Sequence, residues 1–225
     1  MAGVKTTLPA WSLAGFWTAE AVLYVSFLAL DLTGRGAGGN GLKYAGVLLC
    51  LAMAAFSARR GGEGLVAAAL VLTAGADLFL LMLDRWYALG IALFVGVQLL
   101  YLRRLFRWDG RTLLPLRLLL LAAALLLAGW AAGAMTPLNA LALVYYSLLL
   151  GNMVHSFTSA APRGRLFGAG LALFACCDLC VGLYNLAGAV PSAAYAFARV
   201  GMWLFYLPSQ VLIVCSGFPE RKETR

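Results

Sequence analysis

Eight apolar runs, each close to the ~20 residues that an α-helix needs to cross the hydrocarbon layer of a bilayer, dominate this chain. They fall at about residues 12–31, 42–58, 64–83, 86–104, 113–134, 138–159, 166–188 and 192–216. Helix-breaking residues punctuate them: Gly34 to Asn40, Arg59 to Glu63, Asp84-Arg85, Arg107 to Arg111, Thr136-Pro137, Pro162 to Arg165, and Gly188 to Pro191. Inside a bilayer the backbone must satisfy its own hydrogen bonds, so such runs cross as helices. The predicted class is therefore all-α, a polytopic membrane protein with eight transmembrane helices in one domain over 1–225. Only 12% of residues are charged and 63% are hydrophobic, roughly half the charge of a soluble domain. The minimal break at Asp84-Arg85 predicts an antiparallel hairpin of the third and fourth helices. Lys5 precedes the first apolar run without a small-residue cleavage pattern, which reads as a retained helix rather than a signal peptide.

The net charge of +8 does not point to nucleic acid. Its basic residues sit in short clusters between apolar runs, such as Arg59-Arg60 and Arg103-Arg104, with no basic stripe interleaved with exposed aromatics. Counted by alternate loops, thirteen Lys and Arg fall on one side and three (Arg35, Lys43 and Arg85) on the other. The positive-inside rule then puts both termini in the cytoplasm, and the expected location is a bacterial cytoplasmic membrane. The five cysteines lie in apolar runs, which argues against a disulfide framework. Cys177 and Cys180 form a CxxC pattern, but helical spacing reads it as two small packing residues on one face.

A repeat is visible at an offset of 101 residues: LVLTAGADL at 70–78 against LALFACCDL at 171–179, pairing Asp77 with Asp178. Four helices per half makes the expected arrangement two parallel four-helix halves about an axis along the membrane normal.

Ionisable groups inside a span usually face a bundle interior or a wet cavity. Here they are Glu20, Asp77, His155, Asp178 and Arg199, with Gln98, Asn152, Asn185 and Gln210 as polar company. Helical spacing collects them into stripes, one per helix: Glu20, Tyr24 and Asp31; Thr73, Asp77 and Asp84; Gly90, Phe94, Gln98 and Tyr101; Asp178, Gly182 and Asn185; Arg199, Trp203, Tyr206 and Gln210. Asp77, Asp178 and Arg199 lie at similar depth, ~12–16 Å from the outer ends at helical rise, so they could meet. An internal cavity along these stripes would suit an amphiphile. Two carboxyls beside one cation can separate an acid from a base; the same three groups also make a purely structural ion cluster. His155 is the single histidine, which excludes a three-histidine metal site and reads as a hydrogen-bonded interior residue. Glu20 reads as a partner for another helix, Gly168 and Gly170 as close-contact positions, and the tryptophans near span ends as interfacial anchors. No Walker loop, GxSxG elbow or HExxH is present.

Several of these segments together resemble the lysoplasmalogenase (YhhN-like) family of eight-helix membrane proteins. TAGADLFLLMLDRWYALGIALFVGVQLLY in the third and fourth helices is similar to its first aspartate segment, and LFACCDL to its second. Tyr146, seven residues before Met153, is similar to a Tyr–Met spacing there; FYLPSQVLI resembles its closing segment, and Lys43 a lysine opening the second helix. The likeness spans about 40–217. It implies hydrolysis of the vinyl-ether bond of lysoplasmalogens, with Asp77 and Asp178 as the two intramembrane aspartates and no cofactor. A lysophospholipid in the surrounding lipid would be the partner, its phosphate bound by Arg199 or Lys43. Gln98 and Tyr101 would orient it, with Tyr206, Gln210 and Asn185 on the adjoining stripes. Three positions depart from the family pattern: Ala76 stands where Gly is usual, Cys177 where Ser is, and Gln98 where histidine is common. Gln cannot carry a proton. A non-catalytic lipid-binding protein of the same fold, and a small-solute transporter built on the repeat, are the alternative readings.

Overall fold

Each of the eight apolar runs forms a helix, and among the described residues there is no strand. The computed structural model describes residues 8–110, 114–133, 135–186 and 188–219; five of the basic residues in the loop count, Lys5, Arg111, Arg221, Lys222 and Arg225, lie outside them. The helices are α1 (Ala10–Leu32), α2 (Asn40–Arg59), α3 (Gly64–Asp77), α4 (Tyr87–Asp109), α5 (Leu114–Ala131), α6 (Pro137–Thr158), α7 (Gly164–Asn185) and α8 (Ser192–Ser216). Seven are long and apolar enough to cross a membrane, α3 counting with its extension to Met82; α5 is shorter, apolar over Pro115–Ala131. The architecture is that of an all-α polytopic membrane protein.

Two boundaries differ from expectation for physical reasons. The third helix does not run as a regular α-helix to residue 83: it changes at Asp77 into a π turn, Leu78–Met82. The hairpin then closes through Asp84 and Trp86, both in the left-handed region, which is costly for a bulky residue such as Trp86. The fourth helix continues past residue 104 to Asp109, because Arg104 is not a loop residue but is buried within the bundle.

Helix neighbours recur. The contacts α1 with α2, α2 with α3, and α3 with α4 reappear as α5 with α6, α6 with α7, and α7 with α8; α4 with α6 is matched by α8 with α2. These are the relations that a parallel repeat of four helices generates. The tight α7–α8 contact depends on missing side chains: a Cβ at Gly170 would lie 3.1 Å from the Ser209 carbonyl oxygen, and one at Gly201 2.7 Å from Cys180 Sγ. Gly168 instead lies under the Phe157 ring of α6. Pro208 inside α8 removes the N–H that would bond the Leu204 carbonyl; the Tyr24 hydroxyl of α1 donates to that carbonyl instead, at 3.0 Å.

The Arg-rich ends of the helices are tied by Arg104. Its guanidinium donates to both oxygens of Glu63 (2.6 and 2.9 Å) and to the Ser216 hydroxyl and carbonyl, both at 2.8 Å. It also lies over the rings of Trp108 and Phe167, at 4.5 and 4.3 Å. Arg104 is 1% exposed on its side chain and Glu63 36%, so removing either partner has unequal consequences. Glu63→Gln strands a buried cation and is expected to cost about 3 kcal/mol, whereas Arg104→Met leaves a carboxylate that water can reach. Thermal unfolding in detergent should therefore show the larger drop in Tm for Glu63→Gln.

Candidate active site

Asp77 lies 13 residues into α3 and Asp178 14 into α7, and both helices start at the Arg-rich end. The two carboxyls therefore sit at one depth, about 20 Å from that end at helical rise. Each is held by a tyrosine from a neighbouring helix: the Tyr206 hydroxyl of α8 donates to Asp77 Oδ2 at 2.7 Å, and the Tyr145 hydroxyl of α6 donates to Asp178 Oδ2 at 2.6 Å. Phe174, one turn before Asp178, joins the two pairs by ring contacts of 5.3 Å to Tyr206 and 6.4 Å to Tyr145. Phe94 of α4 closes the cluster against Phe174 and Tyr145. The aspartates are within electrostatic reach of each other, and Cys177 is in reach of both. Asp77 is 5% exposed, while Asp178 is only partly buried.

Other candidate residues divide into those near this cluster and those away from it. Lys43 is buried and its Nζ is 2.7 Å from Asp31 Oδ1. It also lies 5.3 Å above the Trp203 ring, which packs edge-on against Tyr206. Gln98 is fully buried; its side-chain and backbone oxygens both accept from Asn152 Nδ2, at 3.0 and 2.9 Å. Tyr101 is buried edge-to-face on Phe167, and Gln210 donates to Ser209 Oγ at 3.3 Å. Arg199 stands apart: it is exposed, two turns from Tyr206 toward the Arg-poor end. Among the described residues it forms no ion pair with either aspartate, so the expected cluster of two carboxyls and one cation is not formed. Asn185 is also exposed and donates back to Val181 of its own helix. Glu20 accepts from Cys50 Sγ at 3.2 Å, and His155 lies 3.0 Å from Asp109. Cys177 and Cys180 are free thiols. No group of three metal-ligating side chains is assembled among the described residues.

Tyr145 and Tyr44 lie outside the polar stripes of the sequence. Tyr44 stands the same 101 residues before Tyr145 as Asp77 does before Asp178, a signal available in the sequence. Tyr44 bonds the Ala74 carbonyl at 3.2 Å and is within electrostatic reach of Asp77. A cavity of about 530 Å³ opens at the Arg-rich end, lined by residues that include Glu63, Trp108, Asp109, Arg163 and Ser216.

A helical membrane bundle carrying two tyrosine-held aspartates at one depth is thus the class that fold and site define. The chain belongs to the YhhN family, the family of lysoplasmalogenases: the model of that family matches residues 40–217, from the start of α2 to just past the end of α8. Comparison with curated proteins and with solved structures gives no match.

The two tyrosine bonds differ in burial, and their removal should differ accordingly. Tyr206→Phe leaves a buried carboxyl oxygen without its donor and is expected to cost about 1–3 kcal/mol. Tyr145→Phe, beside the more accessible Asp178, is expected to cost less. Chemical or thermal unfolding of the two purified variants checks the order.

Proposed function

We propose that this chain is an intramembrane hydrolase that cleaves the vinyl-ether bond of lysoplasmalogens. The observation that supports the reading is the pair of carboxyls, Asp77 and Asp178, at one depth and each held by a tyrosine, in a member of this family.

Vinyl-ether cleavage starts with a proton delivered to carbon. One aspartic acid, protonated, gives its proton to the vinyl carbon farther from the ether oxygen, and that oxygen's lone pair stabilises the resulting oxocarbenium ion. The second, ionised, aspartate lies against that cation and orients a water molecule. Water adds to the oxocarbenium carbon and its proton returns to the first carboxylate, leaving a hemiacetal. The hemiacetal collapses to a fatty aldehyde and a glycerophospho-headgroup, so one water is consumed and both carboxyls end as they began. Tyr145 and Tyr206 fix the carboxyl orientations that this exchange requires.

The lipid chain lies among apolar side chains and the headgroup points toward the Arg-poor end. Arg199, exposed and two turns from Tyr206 on that side, supplies the cation for phosphate. Lys43 is already neutralised by Asp31, so its part is to hold Trp203 and Tyr206 in place. Gln98 is engaged with Asn152 and carries no proton in this scheme. The Arg-rich end faces the cytoplasm, in a bacterial cytoplasmic membrane.

Turnover of the detergent-purified protein on a vinyl-ether lysolipid, beside the matched ester, tests the reading. Aldehyde release from the vinyl ether alone is expected, falling about 10²–10⁴-fold in Asp77→Asn and in Asp178→Asn. Full turnover in both variants would refute the assignment. Silence from folded wild-type protein with lipid still bound would favour a non-catalytic lipid binder, the reading that Gln98 in place of a titratable group supports.

A further inference from the structure

Below the aspartates, on the Arg-rich side, five side chains each carry a buried polar atom with no hydrogen-bond partner among the described residues: Thr73 Oγ1, Gln98 Nε2, Tyr101 Oη, Asn152 Oδ1 and Gln210 Oε1. All five residues are 0% exposed. Helical spacing places them in one layer about two turns deep. Thr73 is one turn below Asp77 on α3, and Gln210 is one turn below Tyr206 on α8, so the two lie at the same depth on the helices that the Tyr206–Asp77 bond joins. Gln98 is one turn below Phe94, which packs on Tyr145. Asn152, two turns below Tyr145, bonds Gln98, and Tyr101 lies a turn below Gln98. The layer is continuous at both ends. Tyr101 is within electrostatic reach of Tyr145 above and of Arg104 below. Arg104 bonds Glu63 and Ser216, two residues that line the 530 Å³ cavity at the Arg-rich end.

A bilayer offers these atoms nothing to bond, and an unpaired polar atom buried there is costly. Five in one layer, leading from a cavity to a carboxyl pair, require a ligand that both donates and accepts. The Gln98 amide nitrogen needs an acceptor, the Asn152 and Gln210 oxygens need donors, and the two hydroxyls accept either. Water meets all of these demands, with two to four bonds per molecule.

We propose that Thr73, Gln98, Tyr101, Asn152 and Gln210 bind a file of ordered water that connects the cavity at the Arg-rich end to Asp77 and Asp178. Resting on the hydrolase reading, the file also supplies the water consumed in each turnover, so that lipid and water approach the carboxyls from different directions. Gln98 suits this use because its amide donates toward the file while its oxygen stays anchored to Asn152.

Radiolytic hydroxyl-radical labelling of the detergent-purified full chain, read by mass spectrometry, tests the file without reference to activity. Radicals formed from adjacent water label buried side chains. Tyr101, though fully buried, should therefore be oxidised several-fold faster than the equally buried Phe27 outside the layer, after correction for intrinsic reactivity. Tyr101→Phe should lower Tm, because a water-bonded hydroxyl is lost. Labelling of Tyr101 at the level of Phe27, or a rise in Tm on removing its hydroxyl, would overturn the proposal, since both mean a dry, unpaired group. Strong labelling in a protein that shows no vinyl-ether turnover would sustain the file and count against the hydrolase reading alone.

Discussion

A charged or polar group placed in hydrocarbon has no bulk water to turn to, and the arrangement of this bundle follows from finding such groups partners. The ties that result join one helix to another, several of them far apart in sequence. Arg104 of α4 binds Glu63, just before α3, and the end of α8; Arg163 at the start of α7 donates to the carbonyls of Cys215, in the last turn of α8, and of Phe218 and Pro219 just beyond it. Lys43 of α2 binds Asp31 of α1. Buried ion pairs of this kind add little net stability over apolar replacements. Their geometry is nonetheless directional, so they fix the relative height and rotation of helices whose apolar faces would otherwise slide. The depth match of Asp77 and Asp178 depends on that fixing.

Periodicity along one helix reports which residues share a face, and here it was enough to read the number of helices, their approximate ends and the stripes that carry Asp77, Gln98 and Tyr206. It does not report how far each helix is rotated against its neighbour. Arg199 shares a stripe with Tyr206, yet it stands two turns from it at the stripe's outer end, which leaves the bundle, so the cation ends exposed while Tyr206 is buried. Arg104 read as a topology signal beside Arg103, because a basic pair at a span end looks the same whether one member is buried or neither is. Its burial depends on Glu63 and Ser216, 41 and 112 residues away. The π turn after Asp77 likewise has no local marker in LFLLM; it meets the α4 hairpin, where Leu80 occupies the space left by Gly90.

The repeat bears on the proposed chemistry through the places where it fails. Tyr44 and Tyr145 occupy equivalent positions, each on the helix preceding the aspartate of its own half. Tyr145 donates to Asp178, but Tyr44 donates to the Ala74 carbonyl, a turn short of Asp77. The donor to Asp77 comes instead from Tyr206 on α8, in the other half. Two carboxyls that a strict two-fold would make identical thereby acquire different donors and different burial. Proton transfer to carbon needs one carboxyl protonated and the other ionised at the same moment, and two identical environments give no preference for which is which. On the proposed hydrolase mechanism, the departure from symmetry at Tyr44 and Tyr206 is what would set that preference, through the same tyrosine contacts that link α8 to the aspartate of the first half.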